Sequence, residues 1–113
     1  MILSVNAKNA MLNGLASHLE SASSVVIDVY AGNEVLVQLL MPDVIVKSVQ
    51  GGVITLNVAE QSLVSKTGQP SKAKIMVDGV LAIELTVGID LLLDDTTLYK
   101  GGYFKITELA INI

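Results

Sequence analysis

Lys72-Ala73-Lys74-Ile75-Met76-Val77-Asp78-Gly79-Val80-Leu81-Ala82-Ile83-Glu84-Leu85-Thr86-Val87 is the stretch whose reading decides the fold. Ala73, Ile75 and Val77 alternate with Lys72 and Lys74. A period of two is the mark of a strand with one buried face. Asp78-Gly79 then separates two apolar runs, Lys72 to Val77 and Val80 to Val87. A two-residue type I′ turn needs positive φ at both positions, and Asp-Gly supplies it. The stretch reads as an antiparallel hairpin.

Working outward toward the N-terminus, residues 59 to 72 read as the longest polar connection, with Thr67-Gly68-Gln69-Pro70-Ser71 as its turn-rich part. Before it, Val53 to Val58 and Val44 to Val49 read as strands around Gln50-Gly51-Gly52. Val35 to Met41 is another, stopped by Pro42-Asp43. Val25, Ile27, Val29 and Ala31 alternate with Val26, Asp28 and Tyr30, and Gly32-Asn33 is a tight turn. Residues 6 to 20 are the one helical stretch. Asn6 is the expected N-cap, and Ala7, Met11, Leu15 and Leu19 recur at i+4, with Ala10, Leu12 and Ala16 beside them. Gly14 interrupts it and suggests close packing on a sheet.

Toward the C-terminus, Leu91 to Leu93 reads as a short buried piece and Asp94 to Thr97 as a turn. Gly101-Gly102 opens a last strand, Tyr103 to Ile113, which changes phase. Phe104 and Ile106 fall on one face, and Leu109, Ile111 and Ile113 on the other. A bulge near Thr107-Glu108, or burial on both faces, accounts for this. About seven or eight short strands at regular spacing predict a mainly β fold: an antiparallel two-sheet β-sandwich with one N-terminal α-helix. No linker divides the 113 residues, so a single domain over 1–113 is expected.

Composition narrows the chemistry. Apolar residues make up 51% and charged residues 16%, with a net charge of −4. Cysteine is absent, which excludes disulfides, thiolate metal sites and a cysteine nucleophile. The seven basic residues are all lysine and are scattered, so no cationic face or arginine fork is offered to nucleic acid. No run of 18 apolar residues exists for a spanning helix, and Met1 to Val5 lacks a basic flank and a long apolar region. The expectation is no nucleic acid, no membrane and synthesis in the cytoplasm.

No constellation points to catalysis. His18 is the only histidine. It makes an enzyme only if a pocket brings it to an acid and a Ser or Thr. Asp90, Asp94 and Asp95 are the only acidic cluster, and Leu91-Leu92-Leu93 breaks a calcium-loop register. Val87-Gly88 and Lys100-Gly101-Gly102 lack phosphate-loop spacing. No enzymatic activity, cofactor or metal is expected.

So apolar and lightly charged a chain is expected to cover part of its outer surface with other subunits, because obligate interfaces are depleted in charge. The apolar chain ends are the candidate assembly contacts: Ile2, Leu3 and Val5 at one end, and Leu109, Ile111 and Ile113 at the other. They serve as contacts or pair within the domain. Tyr99 and Tyr103 are candidate ligand-facing aromatics, or else fill one end of the sandwich.

The order of motifs adds a resemblance. Asn6-Ala7-Lys8-Asn9-Ala10-Met11-Leu12-Asn13-Gly14-Leu15 is followed by Ile27-Asp28-Val29-Tyr30-Ala31-Gly32, Leu40-Met41-Pro42 and Gly51-Gly52-Val53-Ile54-Thr55. Thr67-Gly68 then leads to Ala73-Lys74-Ile75, Asp78-Gly79, Thr86-Val87-Gly88 and Gly101-Gly102-Tyr103-Phe104-Lys105-Ile106. Across nearly the whole chain this resembles a family of small tailed-bacteriophage virion structural proteins. Lys74 stands where that family usually has arginine, and the first turn lacks its Thr-Gly and proline pair. The resemblance implies a non-enzymatic particle component of tail, baseplate or capsid surface. Its place is the virion, and its partners are further copies and other virion proteins. The alternative is a carbohydrate- or host-surface-binding module displayed on such a particle. That module needs an exposed platform at Tyr99 and Tyr103.

Overall fold

The computed structural model describes residues 2–57, 61–89, 97–104, 106 and 109–112. The described part is mainly β and sandwich-like, with one helix near the N-terminus and antiparallel pairing throughout. In chain order the elements are α1 (Val5–Glu20), β1 (Val25–Ala31), β2 (Glu34–Leu40), β3 (Val46–Gln50), β4 (Val53–Leu56), β5 (Ser62–Leu63), β6 (Lys72–Val77), β7 (Val80–Thr86), β8 (Tyr103–Phe104) and β9 (Leu109–Asn112). One sheet has the order β2-β1-β6-β7, the second β3-β4-β9, and a two-stranded ribbon pairs β5 with β8. Leu91–Leu93 lies outside the described residues.

The four-stranded sheet follows from alternation. Val25, Ile27 and Val29 on β1 are buried, as are Ala73, Ile75 and Val77 on β6. The Asp78-Gly79 turn joins β6 to β7 with φ of 49° and 81°. This is the expected turn type, and it pairs Val77 with Val80. The strands are not uniform. On β2 the register slips between Val29 and Tyr30, so Leu36 is an extra residue and both Leu36 and Val37 are buried. A second slip lies between Ile75 and Met76, opposite Ala82. Such bulges bend and twist a strand locally.

The helix differs from expectation in its cap. Ser4, not Asn6, is the N-cap: its backbone is extended and its Oγ accepts from the Ala7 N–H at 3.1 Å. Asn6 already lies inside the first turn. The buried stripe is Leu12 and Leu19, flanked by Leu15 and Ala16, while Met11 is 53% exposed. All four of these core-facing residues belong to the expected apolar face, and Met11 is the large member of it that turns outward. Asn9 ties the helix to a distant turn. Its Oδ1 accepts from the Gly52 N–H at 2.9 Å, and the Lys8 stem lies against the Gly52 Cα. The helix is thereby docked on the β3–β4 hairpin. Gly14 has open space around it instead of a sheet.

The last expected strand is two strands. β8 pairs with β5, and β9 pairs with β4, in different sheets. That division explains why Phe104 and Ile106 are buried in one phase and Leu109 in the other. Residues 107 and 108 lie outside the described set. The expected start at Val44 moves to Val46, because the Ile45 and Val46 N–H groups donate to Glu20. The stretch read as a polar connection holds β5 and the bridge Gly68–Leu98. One buried cluster, with residues of both larger sheets, the helix and the ribbon, forms the core.

Two substitutions separate these roles. Gly14→Ala, in open space on a helix, is expected to raise stability by about 0.5–1 kcal/mol. Gly52→Ala, at φ 76° with the Lys8 Cδ 3.1 Å from the added Cβ, is expected to lower it by more than about 1 kcal/mol. Urea midpoints of the two variants check both.

Candidate assembly surface

The terminal residues divide sharply. Ile2 is 98% exposed, Leu3 half-buried and Val5 exposed, and residues 2–4 form no strand. Leu109 is instead in the core, and Ile111 packs against it, because β9 pairs with β4. Ile113 lies outside the described residues. Among the described residues, the outward-facing terminal apolar groups are therefore Ile2 and Val5 of the N-terminal segment.

Tyr99 and Tyr103 lie together on a built lobe. The chain segments 62–68 and 97–104 run antiparallel to each other. Leu63 pairs with Tyr103, Val64 donates to the Gly102 carbonyl at 2.8 Å, and Gly101 donates back to Val64 at 3.0 Å. Lys100 N–H donates to the Thr67 Oγ1 at 3.0 Å, and Gly68 and Leu98 exchange two bonds. Phe104 and Leu98 point into the core. Tyr99 and Tyr103 are 66% and 69% exposed, with Leu63 also exposed beside Tyr103. They do not fill the end of the sandwich.

The bulge residue Leu36 anchors this lobe. Its carbonyl accepts from Ser65 N–H at 2.8 Å and Ser65 Oγ at 3.0 Å. Its side chain fills the space where Gly68 lacks a Cβ: an added carbon comes within 2.9 Å of Leu36 Cδ2 and 3.2 Å of Ala31 Cβ. The lobe therefore sits at the Ala31 end of β1. A bulge has no sequence signature as clear as a turn, so composition and spacing did not reveal the anchor.

The Val25 end of β1 carries the opposite character. A cleft of about 260 Å³ lies there, lined in part by Glu20, Leu40, Met41, Pro42, Asp43 and Ile45. Glu20 Oε1 accepts from Ile45 and Val46 N–H at 3.0 and 2.6 Å. Asp78 Oδ1 accepts from Ser23 and Ser24 N–H at 3.0 and 2.8 Å. Both carboxylates thus hold chain segments together. Asp43 is exposed, and among the described residues its side chain has no hydrogen-bond or ion-pair partner. His18 does not line the cleft: it is exposed on the last helical turn. The volume is below the about 300–1,000 Å³ usual for small-molecule sites.

Between the two ends, the outer face of the large sheet carries Tyr30 with two ammonium groups over its ring, Lys74 at 4.9 Å and Lys72 at 5.7 Å. Asp28 accepts from Gln38 Nε2 at 2.8 Å on the same face. β7 is the edge strand next to β6, and Val80, Leu81 and Ala82 on it are exposed.

Among the described residues no three His, Asp or Glu side chains are placed to hold a metal ion, and no helix is long and apolar enough to cross a membrane. Asp90, Asp94 and Asp95 lie outside the described residues. No protein-family model, curated protein or solved structure matches the chain.

Glu20 ties the end of the helix to the start of β3 at the cleft. Glu20→Ala is expected to cost about 1–3 kcal/mol, because two backbone donors lose a charged acceptor. Glu20→Gln, which keeps an Oε1 acceptor, is expected to cost less. Urea unfolding of both variants checks the order.

Proposed function

We propose that the chain is a non-enzymatic structural subunit of a bacteriophage particle, in the tail, baseplate or capsid surface, that acts through protein–protein assembly. The observation that carries this reading is where the large apolar side chains lie. Leu63, Tyr99 and Tyr103 at one end, Leu40 and Val44 at the other, and Val80 and Leu81 on the edge strand all face outward. No polar or charged side chain among the described residues is buried in exchange. Exposed apolar groups gathered into patches mark surfaces that another molecule covers. An open apolar edge strand asks for the same cover. The order of helix, strand and glycine-turn motifs supports the phage assignment, with further copies and other virion proteins as partners and the virion as location.

A second reading, a carbohydrate- or host-surface-binding module displayed on the particle, draws support from the exposure of Tyr99 and Tyr103 around one rigid turn. Aromatic faces are common platforms for ring-shaped ligands with apolar sides.

Mass in solution, measured from micromolar to millimolar by sedimentation or light scattering, is expected to show a ring or higher multimer. A monomer throughout that range overturns the assembly reading. Glycan-array binding that disappears in Tyr99→Ala and Tyr103→Ala favours the second reading. Mass spectrometry of purified phage particles tests the location.

A further inference from the structure

We draw no further inference here: the strongest candidate, the outer edge of β7 with Val80, Leu81 and Ala82 exposed along it, carries nothing because nothing in the structure shows what covers it.

Discussion

Burial of one face of β1 is the constraint on which the rest depends. Val25, Ile27 and Val29 are enclosed between β2 and β6, and each contributes about 1.5–3 kcal/mol by leaving water. A slip of one residue against β6 would turn these three outward and bring Asp28 and Tyr30 into the core. Asp28 and Tyr30 sit on the outer face, where a glutamine amide and two lysine ammonium groups meet them. The register is therefore set from both faces at once. Both ends of the molecule are then placed by the two ends of this strand.

At the Val25 end, carboxylates do the joining. Glu20 at the end of the helix takes two N–H groups from the start of β3, and Asp78 in a hairpin turn takes two from the segment before β1. Each acid ties segments far apart in sequence without being buried. At the Ala31 end the joining is steric and backbone-based. The carbonyl of the bulge residue Leu36 holds Ser65, and the absent side chain of Gly68 lets Leu36 and Ala31 close against it. Among the described residues, Glu20, Asp43 and Asp78 lie at the first of these ends, and Tyr99 and Tyr103 at the second.

The edge strand fits the same picture. β7 carries Val80, Leu81 and Ala82 outward, with a bulge at Ala82 and a charge at Glu84. A bulge and a charge both discourage indiscriminate strand pairing. Tyr30, with Lys72 and Lys74 over its ring, keeps the broad outer face of the sheet polar between the two ends.

Local signals in the sequence were sufficient for the hairpin at Asp78-Gly79, the alternation on β1 and β6, the single helix and the two-sheet β class, because turn chemistry and period act within a few residues. The site was legible only as residue types: Tyr99, Tyr103 and the apolar N-terminus were visible as candidates, but not their surroundings. Tertiary structure alone decided where the helix docks, since Asn9 and Lys8 meet a glycine 43 and 44 residues away. It also decided that Tyr103 to Asn112 serves two sheets, that Leu109 turns inward, and that Leu36 anchors a lobe built from residues 62–68 and 97–104. Each of these depends on pairing between distant segments, and pairing energy of that kind leaves no periodic mark in the chain that supplies it.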